Sequence, residues 1–124
     1  MGKFIIKKKK NEFVFNLTAR NGDVIGTSKT YRSVKSAENG IESVIFNRNS
    51  QIEDQTIEEF ETLSNPKWEL YKDKKGEFRF RLKAMNGDVM FTSEKGYASR
   101  TSAKNGIETV RKNCEPSEIV EPKA

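Results

Sequence analysis

The chain has 124 residues, the length of one small domain or of two very small units sharing a core. No apolar run approaches the roughly 20 residues needed to span a bilayer, so we expect a soluble protein without a membrane partner. The regularly placed aromatic residues argue against disorder. The N-terminus shows no signal-peptide pattern, and the lone Cys114 cannot form an internal disulfide, so a reducing cytoplasm is the simplest predicted compartment.

The net charge of +5 is unevenly distributed. Basic residues dominate residues 2–48 and 67–113, whereas the joint between them contains Glu53, Asp54 and three further glutamates. This pattern suggests either an anionic partner or self-shielding, in which the acidic joint lies across the basic faces.

Two copies of one unit account for most of the chain. The run EFVFNLTARNGDV from Glu12 aligns with EFRFRLKAMNGDV from Glu77, and SAENGIESV from Ser36 aligns with SAKNGIETV from Ser102. We therefore predict an α+β fold of two tandem βββα repeats, each an antiparallel meander plus one helix, packed pseudo-symmetrically around a shared core. The predicted single domain, residues 1–124, comprises repeat one at 3–48, an acidic connector at 49–66, repeat two at 67–113, and a tail or edge strand at 114–124.

Three strands are predicted in the first unit. The first is Phe4-Ile5-Ile6, followed by a lysine-rich turn. Alternating apolar residues from Phe13 to Ala19 predict a second strand with one buried face. Asn21-Gly22 then predicts a type I′ hairpin turn leading to the third strand, because both central residues of that turn need positive φ. The second unit repeats this pattern around Asn86-Gly87.

A helix follows in each unit, with Ser33 and Ser99 as the predicted N-caps. The inward stripe recurs at i, i+3, i+4 and i+7 and comprises Ala37, Gly40, Ile41 and Val44, repeated as Ala103, Gly106, Ile107 and Val110. A glycine inside a helix costs about 1 kcal/mol relative to alanine. We interpret the two glycines as points where the helix backbone approaches the sheet or the sister helix closely.

The segments outside these units are less regular. Residues 51–54 and 118–121 are predicted to be either edge strands or plain linkers, and residues 56–63 to form an extra helical turn. Cys114 lies at a helix C-terminus, which disfavours a thiolate, so we interpret it as an ordinary exposed or half-buried thiol.

These motifs together resemble the YegP-like family of small bacterial tandem-repeat proteins, a family without an assigned function. The resemblance covers residues 3–48 and 67–121 and implies an α+β fold of intertwined repeats, with single-copy relatives dimerising into the same shape. The first copy departs from the pattern at its opening turn, which is one residue short, and at Lys7, where the family favours a tyrosine such as Tyr71. The family supplies no catalytic residues.

Most chemistry is excluded by composition. Without histidine there is no Ser-His-Asp or Cys-His nucleophile and no His-dependent metal site, and one cysteine cannot build a Cys-rich zinc site. No glycine-rich phosphate loop or calcium loop is present. We therefore expect no catalytic residue, no metal, no cofactor and no enzymatic activity.

Two surfaces remain as candidate sites. The first is a basic row for anions or nucleic acid, comprising Arg79, Arg81, Lys83, Arg100 and Lys104. Its alternative is a solvated polar face. The second is a groove beside the helix glycines, comprising Tyr31, Asn39, Glu42, Tyr97, Asn105 and Glu108. Its alternative is a set of structural polar groups that fix each helix to a loop.

The function favoured by these observations is that of a small non-enzymatic interaction or binding module in the cytoplasm, whose physiological role is unknown. Its partner is an unidentified protein or an anionic molecule, and the protein is predicted to be a monomer with an internal pseudo-dimer. The alternative is weak nonspecific nucleic-acid binding through the basic row. Inward-facing phenylalanines disfavour this alternative, because base stacking needs exposed aromatic rings.

Overall fold

A computed structural model describes residues 2–114 and 118–122. Eight strands and two helices occur in these residues, in the order β1 (Lys3–Lys9), β2 (Glu12–Thr18), β3 (Val24–Ser28), α1 (Val34–Asn47), β4 (Ile52–Asp54), β5 (Lys67–Lys72), β6 (Phe78–Lys83), β7 (Val89–Ser93), α2 (Arg100–Asn113) and β8 (Glu118–Val120). The strands form one mixed sheet in the order β4-β5-β6-β7-β3-β2-β1-β8. The α+β class predicted from the sequence is confirmed.

The sheet joins the two halves of the chain at three places. At its centre β3 and β7 pair in antiparallel fashion, with Thr27 opposite Thr92. The strand after α1, β4, pairs in parallel with β5, and the strand after α2, β8, pairs in parallel with β1. Of the two readings of the segments that follow the helices, edge strands are therefore confirmed. Each segment completes the sheet of the opposite half.

The Asn-Gly hairpins have a different turn from the predicted type I′. Gly22 has φ +91° and Gly87 has φ +90°, but neither Asn21 nor Asn86 has positive φ. The N–H of Gly22 donates to the carbonyl of Ala19, three residues back, at 2.9 Å. This is a three-residue loop with a left-handed glycine at its last position. Such a loop does not require positive φ at the asparagine. In both hairpins the asparagine Oδ1 accepts a hydrogen bond of 3.0 Å from the N–H of the aspartate two residues later.

Both predicted helix caps are confirmed. The Ser33 hydroxyl accepts from the N–H of Ser36 at 3.0 Å, and the Ser36 hydroxyl accepts in return from the N–H of Ser33 at 3.2 Å. The Ser99 hydroxyl accepts from the N–H of Ser102 at 3.1 Å. These bonds satisfy N–H groups that have no partner within the first helical turn.

One buried cluster draws side chains from both halves, and both helices lie on the same face of the sheet. Phe91 of β7 stacks on Phe15 of β2, with ring centroids 6.4 Å apart. The Phe91 ring occupies the space above Gly26, which is the residue aligned with Phe91 in the first half. A Cβ added to Gly26 would overlap the Phe91 ring and lie 2.7 Å from the Thr92 carbonyl. A phenylalanine of one half and a glycine of the other thus share one space where β3 pairs with β7.

The helix glycines are required mainly by a tyrosine in each half. A Cβ on Gly40 would overlap the Tyr31 hydroxyl, and a Cβ on Gly106 would lie 2.6 Å from the Tyr97 hydroxyl. At Gly106 the expected close approach to the sheet is also found, because the same Cβ would lie 2.9 Å from the Phe80 ring of β6. A repeated tyrosine and a repeated glycine form one packing unit in each half.

Two smaller predictions are also wrong. Residues 56–63 form turns and irregular chain and no helix, because Thr56 is held in a turn in which its N–H and hydroxyl donate to Asp54. Cys114 is 1% exposed, because its side chain joins the core where α2 ends. No helix in the described ranges has the length and apolarity needed to span a membrane.

Candidate ligand clefts

Two equivalent clefts lie where a helix of one half meets the hairpin of the other. Cleft one, of about 240 Å³, is lined on the first half by Lys29, Tyr31, Ser36, Asn39, Gly40 and Ser43, and on the second half by Ala84, Asn86, Asp88 and Met90. Cleft two, of about 330 Å³, is lined on the second half by Lys95, Tyr97, Ser102, Asn105, Gly106 and Thr109, and on the first half by Ala19, Asn21, Asp23, Val24 and Ile25. Each cleft needs both halves of the chain.

A tyrosine is held at the wall of each cleft. Tyr31 exchanges two backbone hydrogen bonds with Phe13 (2.7 and 2.8 Å), and its ring stacks on Phe15 with centroids 5.9 Å apart. Tyr97 is held in the same way by Phe78 and Phe80, with centroids 6.0 Å apart in the second stack. The ring positions are therefore fixed before any ligand arrives.

The two phenol hydroxyls are available to a ligand. Neither has a hydrogen-bond partner within residues 2–114 and 118–122. Burial raises the pKa of both Tyr31 and Tyr97 above the ordinary value of a phenol, so both stay protonated at neutral pH. Each cleft therefore offers one neutral O–H group that donates or accepts.

The charges in each cleft balance. Lys29 lies over the Tyr31 ring at 5.6 Å and 3.5 Å from the Asp88 carboxylate of the other half. In the second cleft Lys95 lies over the Tyr97 ring at 5.5 Å, and Asp23 supplies the carboxylate. One ammonium, one carboxylate and several amides and hydroxyls suit a ligand that is polar and has no net charge.

The structure brings together four of the six predicted groove residues. Tyr31 and Asn39 line cleft one, and Tyr97 and Asn105 line cleft two. Glu42 and Glu108 line neither cleft: both are exposed, and Glu108 pairs with Arg111 one turn along the same helix. Each glutamate is three residues beyond the asparagine of its helix, and its exposed side chain lies outside the cleft.

Sequence reasoning missed the hairpin residues that complete the clefts, Asn21, Asp23, Asn86 and Asp88. A signal was present, because Asn-Gly-Asp is identical in both copies and the turn itself needs only the glycine and an Asx residue. The sequence does not show that each hairpin reaches the helix of the opposite half.

The predicted basic row has carboxylates as neighbours. Arg79 bonds Asp73 at 2.7 Å, Arg81 bonds Glu69 at 2.6 Å, and Lys83 lies 3.9 Å from Glu69. Arg100 and Lys104 lie 3.5 and 3.6 Å from Asp54, next to the connector. Shielding by the acidic joint therefore describes Arg100 and Lys104, whereas Arg79, Arg81 and Lys83 pair with carboxylates within residues 67–113. The nucleic-acid alternative finds no support here.

Residues 9–53 and 73–121 match the family described as "Domain of unknown function (DUF1508)". The chain belongs to this family, so the predicted YegP-like resemblance is confirmed, as is the absence of an assigned function.

The particular relatives show how far the likeness extends. The chain is 45% identical over 114 residues to the UPF0339 protein YegP of Yersinia pestis, covering 91% of this chain and 88% of that protein. A solution NMR structure of yegP from E. coli, described as a protein of unknown function, matches with a TM-score of 0.78 at 32% identity and covers 99% of this chain and 95% of that one.

Shorter relatives match half of the chain. A UPF0339 protein of Agrobacterium fabrum is 51% identical over 55 residues, which is 44% of this chain but 87% of that protein. Proteins of this family therefore occur at about the length of one half.

Proposed function

We propose that this protein is a non-enzymatic binding module of the cytoplasm, whose two clefts each hold a small polar ligand without net charge. The observation that carries the proposal is convergence. Three sets of residues that are identical in the two copies, the tyrosine, the helix Ser-x-x-Asn-Gly and the hairpin Asn-Gly-Asp, meet at each cleft, to which the hairpin comes from the opposite half. The hairpin and the helix come from opposite halves, and the local structure of neither requires these residues to share a surface.

The size and chemistry of the clefts narrow the ligand class. Volumes of about 240 and 330 Å³ are at or below the lower end for drug-sized ligands, so a monosaccharide or a free amino acid is the appropriate size. A polyanion is disfavoured by the carboxylates of Asp88 and Asp23.

We further propose that the two halves are tandem βββα repeats derived by duplication, within one domain of residues 1–124, and that the protein is monomeric. The repeated sequence, the similar order of elements in the two halves and the half-length relatives support this history. The strand pairings of β4 with β5 and of β8 with β1 would then be the internal counterpart of a dimer interface.

The ligand proposal is tested by NMR titration of the ¹⁵N-labelled protein with a panel of monosaccharides and free amino acids. We expect shifts of amide signals from both clefts, with Tyr31→Phe abolishing those of cleft one and Tyr97→Phe those of cleft two. Tyr71→Phe, outside both clefts, is the matched control. The ligand's own spectrum should remain unchanged over days. No cleft shifts at tens of millimolar, or conversion of the ligand, would overturn the proposal.

A further inference from the structure

The sheet face opposite the helices is covered in the second half of the molecule. There Glu53, Lys67 and Glu69 are 2%, 7% and 4% exposed although they lie on the side away from the helices. The connector contacts Glu53 and Lys67, whereas Glu69 is surrounded by Lys67, Arg81 and Lys83. The Leu63 N–H donates to Glu53 Oε2 at 2.7 Å, and Lys67 Nζ donates to the Leu63 carbonyl at 3.0 Å.

The equivalent face of the first half has different chemistry. Lys3 and Ile5 of β1 occupy the places of Lys67 and Glu69, as their antiparallel registers with β2 and β6 show. Ile5, Val14 and Val120 form a partly exposed apolar strip where the second half has Glu69, Arg79 and Glu53.

Four cations border this apolar strip, and we call the strip and these cations together the basic-apolar face. They are Lys3, Lys7, Lys9 and Arg20, and they outnumber the neighbouring carboxylates of Glu12 and Glu118. Within the described ranges, none of these four cations has a carboxylate within 4.0 Å. At one end lies a concavity of about 280 Å³, lined by Lys3, Ile5, Thr18, Ala19, Arg20 and Gly22.

We propose that the basic-apolar face binds an extended acidic peptide segment of a partner protein, with apolar residues spaced between its carboxylates. The apolar residues would lie on Ile5 and Val14, and a carboxylate would enter the concavity between Lys3 and Arg20. This surface lies on the opposite side of the sheet from the helices, so the proposal is independent of the clefts.

The molecule itself supplies the template for the occupant. On the second half, the connector contacts the same face of the sheet through Leu63, the last residue of its central segment Thr-Ile-Glu-Glu-Phe-Glu-Thr-Leu, whose Ile57 and Phe60 are 43% and 37% exposed. Lys67 there donates to a main-chain carbonyl of the connector, and Lys3 holds the equivalent position on the first half. An acidic segment also complements the unpaired cations, whereas a second copy of this lysine-rich face would repel it.

The test uses the full-length protein and a fluorescent peptide of residues 55–66, QTIEEFETLSNP. We expect binding by fluorescence anisotropy that weakens about tenfold with Ile5→Glu, because that glutamate faces the peptide's carboxylates. Arg20→Met, which installs the residue found at the equivalent Met85, should weaken binding severalfold without touching the apolar strip. Circular dichroism and thermal unfolding establish that both variants are folded.

Two controls separate this surface from general basicity. Lys74→Glu, on an exposed turn of the second half, should leave the affinity unchanged, and a peptide with its glutamates replaced by glutamine should bind at least tenfold more weakly. The proposal is overturned if no binding occurs at about 1 mM peptide, or if Ile5→Glu and Arg20→Met bind as well as the wild type. It is also overturned if single-stranded oligonucleotides or anionic vesicles bind this face and the peptide does not.

Discussion

At the scale of single residues, a tyrosine and a glycine act as a pair in each half. The ring is clamped by a phenylalanine on one face and has a lysine over it, and its hydroxyl lies above the bare backbone of Gly40 or Gly106. An isolated glycine in a helix is destabilising. Here that cost is offset by the packing of an aromatic ring whose hydroxyl remains available to a ligand.

Gly40→Ala should lower the free energy of unfolding by about 1–3 kcal/mol, because the new Cβ overlaps the Tyr31 hydroxyl. In a Tyr31→Ala background the same substitution should raise stability, by up to about 1 kcal/mol, since only the helix propensity of alanine remains. Urea unfolding of the four proteins measures this reversal of sign. If Gly40→Ala is destabilising to the same extent in both backgrounds, the tyrosine is not the reason for the glycine.

At the scale of elements, the two helices meet the two edge strands with opposite electrostatics. Lys104 of α2 lies 3.6 Å from Asp54 at the end of β4. At the matching place in the first half, Glu38 of α1 faces Glu121 just after β8. A hydrogen bond to Glu121, with burial and the like charge adding to it, raises the pKa of Glu38. One edge strand is therefore attracted to its helix and the other is repelled at neutral pH.

Glu38→Lys, which copies Lys104, should raise the melting temperature at pH 7. Because the folded pKa of Glu38 is raised, the wild type loses stability as pH rises from the ordinary glutamate range through that pKa. The gain from lysine should therefore shrink near pH 4, where Glu38 in the wild type is protonated. Thermal unfolding at the two pH values checks this, with Glu42→Lys, the same charge change at an exposed position of the same helix, as the control. Equal gains at both pH values would contradict the prediction.

The connector is held to β4 and β5 by Glu53 and Lys67. Burial by itself raises the pKa of Glu53, but hydrogen bonds from Gln55, Lys67 and the Leu63 N–H outweigh it, and the net pKa is lowered. Burial likewise lowers the pKa of Lys67, but Glu53 and Glu69 outweigh it, and the net pKa is raised. Glu53 contributes to stability at pH values above its unfolded-state pKa, and Lys67 does so at pH values below its unfolded-state pKa. Both contributions are therefore present at neutral pH.

Glu53→Gln should lower the free energy of unfolding at pH 7 by about 3 kcal/mol, because it leaves a buried ammonium with one carboxylate fewer. The stabilisation due to Glu53 is lost as pH falls below about 4.3 and through the lowered folded pKa, so the difference between the variant and the wild type should be smaller at pH 3 than at pH 7. Urea titrations at pH 7 and pH 3 test this, with the exposed Glu58→Gln as control. A difference that persists undiminished at pH 3 would exclude an ionic origin.

At the scale of the whole molecule, neither half has a complete sheet or a complete core. Strand β4 pairs with β5, β8 pairs with β1, and the two helices each contact strands of both halves. The Gly26–Phe91 pair adds an asymmetry, because two copies of the first half would leave the space of the Phe91 ring empty, and two copies of the second would place two rings in it.

Fragments 1–50 and 66–124, expressed separately, should therefore show no cooperative unfolding as monomers at low concentration, since each exposes an apolar sheet face and helix stripe. Analytical ultracentrifugation and urea unfolding monitored by circular dichroism measure this, with the full-length chain, expected to be monomeric, as reference. A fragment that unfolds cooperatively as a monomer would disprove the dependence of each half on the other.

Much of the local structure could be predicted because its causes are local. The alternation from Phe13 to Ala19, the serine caps and the apolar helix stripes each follow from the periodicity of neighbouring residues, and the structure confirms them. The predicted hairpin turn type was wrong, because an Asn-Gly pair is compatible with more than one type of turn. The burial of Cys114 was missed because it depends on contacts with residues distant in the sequence.

The sequence by itself determined the strands and the helices, because these depend on residues a few positions apart. Only the tertiary structure decided that the hairpin of one half closes the cleft of the other, and that the arginines of β6 are neutralised. Both facts arise from residues far apart in the chain that the β3–β7 and β5–β6 pairings bring together. The two-residue alternation of side chains in a strand determines which face of the sheet a residue occupies. The order of the strands determines which residues of other strands lie beside it, and that order is a property of the whole sheet.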